Sequence, residues 1–297
     1  MKTARLTVVK SKTETSAILL IHCRDQRGIV ASVTKFIAGH HGNIIHLDQH
    51  VDTSWGIFFM RVEWEMTHFD LSRSKVAHAF KEEVSDRFNM HTQLYFSDQP
   101  IKTAIFVSKE QHCLIDLLSR QQAESWPWDL RLVISNHKDL KGEVTHRNIR
   151  YLYTPVKARN KKAVESAQLK ALQEERVELI VLARYMQIIS PDFCEKYKNR
   201  IINIHHSFLP AFPGAKPYHS AFNRGVKIIG ATSHFATPEL DDGPIIDQDT
   251  VRISHEDGVK DLIRKGRDLE RIVLARAVWQ FLQRRVLVYE NKTINFM

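Results

Sequence analysis

"VELIVLAR" (residues 177–184) and "RIINIH" (residues 200–205) are the stretches on which the reading of this chain turns. Each is a short, nearly unbroken apolar run of the kind found in strands covered on both faces. A polar helical stretch from about Lys161 to Glu175 precedes the first of them. Outward along the chain, "TAIFVS", "DLRLVIS" and "KIIGATSHF" repeat the strand pattern, and helical spacing separates them, at Leu114, Leu117 and Leu118 and again over 218–224. Strands alternating with helices predict a doubly wound, mostly parallel α/β sheet over residues 101–297.

The second run ends in polar residues. A strand alternates faces, so Asn203 and His205 project to one side where the strand runs out, with Ile204 on the other. Ligands of such sheets sit beyond the carboxyl ends of the strands. Tyr185-Met186-Gln187 stands at another such end.

Residues 1–97 follow a different rhythm. "AILLIHC" (17–23) reads as a buried strand, a turn follows at 25–28, and Ile29, Val33, Phe36 and Ile37 recur at helical spacing. Gly42-Asn43 breaks that helix. Two alternating runs follow, Ile45 to Val51 and "IFFMRVEW", and Ser72 starts a helix whose inner face is Val76, Phe80 and Val84. A last strand over 90–96 closes a ferredoxin-like βαββαβ unit. Its sheet edge has to be paired or covered, which predicts a homo-oligomer, a dimer or tetramer, assembled partly through residues 17–96.

At 297 residues the chain is long enough for two such domains, and 43% hydrophobic with 26% charged residues excludes a disordered protein. The net charge of +9 is spread among neighbouring Asp and Glu, with no basic block interleaved with aromatics, so no nucleic-acid partner is expected. Cys23, Cys113 and Cys194 are too far apart for a disulfide framework or a zinc knuckle; no metal is expected, and a reducing compartment is. No apolar run approaches bilayer length, and the opening "MKTARLTVVKSKTETS" is too interrupted for a signal peptide. The expectation is a cytoplasmic protein without a membrane partner.

Two resemblances add to this. "CRDQRGIVASVTKFIAGHHGNIIHLDQH" resembles an ACT domain, a small-ligand regulatory module, with Asp25, Gly28, Ile29, Gly42, Asn43 and Ile44 where that family places its turns. Proline usually stands in that family where Arg24 and Arg27 stand here. "NIHHSFLPAFPGAKPYHSAFNRGVKIIGATSHF" followed by "LDDGPII" resembles the folate-dependent formyltransferases, through Asn203-x-His205, Ser207-x-Leu209-Pro210, Gly214 with His219, and Asp241-x-Gly243-x-Ile245-Ile246. The resemblance implies a folate substrate and no separate cofactor, with Asn203, His205 and Asp241 as catalytic residues. It points to 184–189 and 235–243 as the pterin-holding segments, and to Tyr185, Met186, Gln187, Ile188, His234 and Gly243 as folate contacts.

The residue types suit formyl transfer from N10 of a folate, which passes through an oxyanion and delivers a proton to a departing amine. Asn203 offers an amide N–H, His205 a charged donor, and Asp241 a proton acceptor that favours the imidazolium. Taken singly, such residues are commonplace turn formers or core histidines; Asp242 and His206 are adjacent decoys. The acceptor follows from "FVSKEQHCLIDLL": no glycine allows a phosphate close to the backbone, and Glu110 sets a carboxylate against one. Water is therefore the expected acceptor, giving formate and tetrahydrofolate. The alternatives are transfer to a small amine, or a non-catalytic folate-binding regulatory protein. An amino-acid effector held at the seam between paired ACT-like units is expected to place its carboxylate at Gly28 and Ile29 and its amine on Asn43.

Overall fold

The computed structural model describes residues 15–123, 126–211 and 217–297. The basic opening residues and Gly214 lie outside them. The chain divides into two compact units at Gln99/Pro100.

The first unit runs β1 (Ser16–Arg24), α1 (Ile29–Gly39), β2 (Ile44–Asp52), β3 (Ile57–Glu65), α2 (Arg73–Phe80), a π turn, α3 (Asp86–Phe88) and β4 (His91–Phe96). Its four strands lie in the order β2-β3-β1-β4, all antiparallel, which is the ferredoxin-like arrangement. Leu19, Ile21, Phe58, Met60 and Val62 from alternate strand positions pack with Val33, Phe36 and Ile37 of α1 and with Val76, Phe80 and Val84. Gly42 is required where α1 ends, because a Cβ there would stand 2.7 Å from Ile37 Cγ2 and 2.9 Å from a Phe69 ring carbon. Ser72 occupies the N-cap position of α2, but its side chain makes no capping hydrogen bond.

The second unit runs β5 (Ile101–Val107), α4 (His112–Ala123), β6 (Trp128–Ser135), α5 (Lys141–Thr145), β7 (Arg150–Tyr153), α6 (Lys161–Glu174), β8 (Leu179–Ala183), α7 (Pro191–Lys196), β9 (Ile201–His205), α8 (Pro217–Arg224), β10 (Ile228–Phe235), β11 (Ile245–Arg252), α9 (Val259–Leu282), and a hairpin of β12 (Val286–Tyr289) and β13 (Lys292–Asn295). The strand order is β11-β10-β9-β8-β5-β6-β7. Strands β5 to β9 pair in parallel, whereas β10 is antiparallel to both β9 and β11. "KIIGATSHF" is thus an apolar strand that the sequence alone does not distinguish from its parallel neighbours.

One face of the sheet packs Ile105, Val107, Val133 and Val181 against α4 and α9; the other packs Ala104, Phe106, Leu132 and Ile180 against α6 and α7. Burial on both faces is why these strands carry few polar residues. From β5 the chain winds outward to β7, then returns to β8 on the other side of β5 and winds toward β9. That reversal opens a crevice beyond the carboxyl ends of β5 and β8.

Candidate active site

A cavity of about 280 Å³ lies at these carboxyl ends. Its walls come from segment 184–189 after β8, from the end of β9 at 203–206, and from 236–241 after β10. Antiparallel pairing of β9 with β10 sets His234 directly opposite Asn203 and Thr232 opposite His205. A register shift between Ser233 and His234 in the β10–β11 ladder falls at the same place. Such irregularities re-aim side chains next to sites.

His205 is 6% exposed, and its Nδ1 lies 3.1 Å from Asp241 Oδ1. Its Nε2 is buried and has no hydrogen-bond partner among the described residues, although the ring lines the cavity. A buried polar atom left unpaired is costly, and a substrate oxygen or nitrogen would satisfy this one. Asp241 takes a left-handed conformation at φ 57°, which Asp tolerates better than most residues. Burial would raise its carboxyl, but the hydrogen bond from His205 and the charge of that imidazole outweigh this and hold it well below the usual carboxylate range. Asp241 is therefore a standing anion behind His205.

His234 sets the orientation of Asn203. Its Nδ1 lies 2.9 Å from the Phe235 carbonyl, which only accepts, so the proton sits on Nδ1. Nε2 then receives Asn203 Nδ2–H at 3.2 Å. The second N–H of the Asn203 amide remains for a ligand. A Cβ on Gly243 would lie 1.7 Å from the same Phe235 carbonyl, so only glycine leaves that acceptor in place.

The expected folate residues divide. Tyr185, Met186, Gln187, Ile188 and His234 all line the cavity. Met186 and Ile188 are 53% and 64% exposed, hence open apolar walls and not core residues. Tyr185 is mostly core: its ring meets Phe106 edge-on at 5.2 Å, and its hydroxyl accepts from Gln168 Nε2 at 3.1 Å. Gly243 does not line the cavity; it is buried, and its part is the close approach to Phe235. Asp242 is exposed with its carbonyl bonded to Asn291, and His219 is exposed on α8. His206 does line the cavity, with its ring 5.1 Å from that of His205 and 5.9 Å from that of Tyr218.

The expected effector residues do not meet within one chain. Gly28 and Ile29 stand at the start of α1, and Asn43 stands just past its end. The helix has 11 residues, so these groups lie about 16 Å apart in one chain. One small amino acid cannot touch both within a single copy. Asn43 also donates its side-chain N–H to Glu65 Oε2 at 3.0 Å.

Other supports are invisible in the sequence, because their partners are far apart in it. Ser108, at the end of β5, accepts the Met186 N–H at 2.9 Å and donates to Asn136 at 2.7 Å, which pins segment 184–189. Arg184, in a left-handed conformation at φ 62°, turns the chain into that segment and pairs with Glu270 of α9 at 3.3 Å.

Comparison with known families agrees with this geometry. The formyl transferase family model matches residues 101–278, and the ACT domain model matches 17–63. The fold and site thus define a formyl transferase-type domain joined to an ACT domain. The formyltetrahydrofolate deformylase of Synechocystis is 52% identical over 281 residues, covering 95% of this chain and 98% of that protein. That of Bacillus subtilis is 45% identical over 295 residues, covering 99% and 98%. The crystal structure of a formyltetrahydrofolate deformylase from Pseudomonas syringae pv. tomato is 42% identical with a TM-score of 0.94, covering 97% of this chain and 96% of that one. This chain belongs to the formyltetrahydrofolate deformylase family.

Proposed function

We infer that this chain hydrolyses 10-formyltetrahydrofolate to formate and tetrahydrofolate, and that Asn203, His205 and Asp241 carry the reaction. The observation behind the assignment is the His205–Asp241 pair at 3.1 Å, whose outer nitrogen Nε2 has no partner among the described residues and sits on a ring that lines the cavity. Water adds to the formyl carbon, the bond from that carbon to N10 breaks, and N10 gains a proton as water loses one. The free Asn203 N–H and the Nε2–H of protonated His205 stabilise the oxyanion of the intermediate. Asp241 keeps His205 in the donor form, and the pair relays the proton from water to N10. Met186 and Ile188 form the apolar walls for the pterin ring, and the backbone of 236–241 reads its polar edge. The substrate is itself the folate, and the reaction as written draws on no further cofactor or metal.

Water is the acceptor because the turn after β5 lacks the glycines that bring backbone N–H groups to a phosphate. Purified protein given 10-formyltetrahydrofolate and no amine should release formate in step with folate consumption. Added glycinamide ribonucleotide should neither raise the rate nor become formylated. A formylated product at a matching rate would make the protein a transferase.

The ACT-like unit, residues 1–97, joins copies of the chain and holds an amino-acid effector at their seam. One copy supplies Gly28 and Ile29, where α1 has no side-chain cap for its first N–H groups. The other copy supplies Asn43, since one chain keeps the two ends apart. The working compartment is the cytoplasm; among the described residues no helix is long and apolar enough to cross a membrane. Calorimetry with each of the twenty amino acids should give heat with at least one, and Asn43→Ala should abolish it. Absence of heat with all of them would leave the unit as an assembly device alone.

A further inference from the structure

The apolar wall at the cavity mouth gains little of its position from packing. Met186 and Ile188 are both more than half exposed, so burial contributes little to fixing them. The backbone of 184–186 is fixed instead, and from a single residue. Ser108 is buried and follows directly on β5. Its N–H donates to the Arg184 carbonyl at 3.2 Å, and its Oγ accepts the Met186 N–H at 2.9 Å. The first bond carries the β5–β8 ladder one step past Val107 and Ala183. The second adds a rung where the left-handed Arg184 turns the chain out of the sheet.

The direction of these bonds follows from the donors. An amide N–H only donates, so the Ser108 hydroxyl accepts from Met186 and keeps its own proton for another acceptor. That acceptor is Asn136 Oδ1 at 2.7 Å. Asn136 follows directly on β6, and Ser135 pairs with Val107 in the parallel register, so Asn136 and Ser108 leave the sheet side by side. Asn136 stands on a held turn: Ser135 Oγ accepts the His137 N–H at 3.1 Å, and the Tyr151 hydroxyl donates to the His137 carbonyl at 2.7 Å. A hydrogen-bonded chain thus runs from Asn136 through Ser108 to Met186, across the carboxyl ends of β6, β5 and β8. Other residues hold the rest of the segment. Gln168 bonds the Tyr185 hydroxyl, and Glu165 Oε1 accepts the Ser190 N–H at 2.9 Å. Among the described residues Ser108 alone bonds the Met186 N–H.

We propose that Ser108 is a positioning residue for the folate: through the Met186 N–H it sets the apolar wall against which the pterin ring lies, and Asn136 orients its hydroxyl for that task. It governs how tightly the folate is held and not how fast the formyl bond breaks. The proposal rests on the folate reading of the cavity. The reacting groups are supplied elsewhere, Asn203 and His205 by β9 and Asp241 by the loop between β10 and β11. A wall that touches the ring equally before and in the transition state supplies uniform binding, and its displacement raises KM while leaving kcat. Removing the hydroxyl strands a partly buried N–H, a cost the segment escapes only by moving.

The test takes two measurements on the intact protein: steady-state formate release from 10-formyltetrahydrofolate, and calorimetric binding of tetrahydrofolate, which needs no turnover. Ser108→Ala should raise KM and the tetrahydrofolate Kd together by about tenfold and leave kcat within about twofold of wild type. Asn136→Leu takes the acceptor from the Ser108 hydroxyl without touching Met186, and should move both constants the same way by less. Asn136→Asp keeps an acceptor there and should hold them at the wild-type values. A Ser108→Ala protein that folds with KM and Kd unchanged, or one whose kcat falls while Kd holds, would overturn the proposal. Should Ser108→Ala fail to fold, Asn136→Leu decides: raised constants support the proposal, and unchanged constants or a lost fold overturn it. Wild type that binds tetrahydrofolate but releases no formate would refute the hydrolase reading alone, because the Kd comparison stands without turnover.

Discussion

Asp241→Asn should lower formate release by ~10²-fold or more while leaving folate binding nearly intact. The amide keeps the size of the side chain but removes the charge that faces His205 at 3.1 Å. Without that charge the Nδ1 of His205 loses its anionic partner, and the proposed relay from water to N10 loses its anchor. Asp242→Asn should change the rate little, since Asp242 is exposed and its side chain does not line the cavity. Equal losses in the two variants would show that the neighbouring carboxylates had been assigned the wrong way round. The stability effect has a definite sign. A carboxyl held below its ordinary range contributes stability above its unfolded pKa, and loses it only as pH falls through the depressed folded value. The Asn variant should therefore melt at a lower temperature than wild type at neutral pH, and the gap should close in strong acid.

Asn203→Ala should cost ~2.7–4 kcal/mol of barrier, or ~10²–10³ in kcat, the usual loss for one oxyanion donor. The Michaelis constant should move little, because the amide bonds to charge that develops only in the transition state. The structure adds a way to separate catalysis from packing. Asn203 donates one N–H to His234, so His234→Gln, whose side-chain oxygen can receive that N–H, should retain more activity than His234→Ala. If both His234 variants lost activity equally while Asn203→Ala remained active, the roles of the two residues would be reversed.

The sequence carried the chemistry in clusters. Asn203 and His205 sit two apart on one strand, and strand geometry alone places them on one side. The apolar runs at β5, β6, β8 and β9 announce a sheet covered on both faces, and alternation over 17–96 announces the ferredoxin-like unit. Asp241 was legible as one of two adjacent carboxylates, but only the left-handed turn at that position aims the first of them at His205. His234 was legible as a neighbour of the site, but its tautomer depends on the Phe235 carbonyl, and that carbonyl keeps its place because Gly243 has no side chain. Gly243, expected as a folate contact, lies outside the cavity lining and keeps the Phe235 carbonyl in place.

Local periodicity and motif spacing settled whatever depends on residues close together in the chain: the two folds, the strand ends and the polar residue types that gather at them. Tertiary structure alone decided what depends on distance. It ran β10 antiparallel and set His234 against Asn203, it parted Gly28 from Asn43 by the length of α1, and it brought Glu270 across 158 residues to the side of His112. The physical reason is that a strand or helix carries its period in its own sequence. A hydrogen bond between distant elements leaves no periodic trace, and becomes visible only when the packed core fixes both partners within 3 Å of each other.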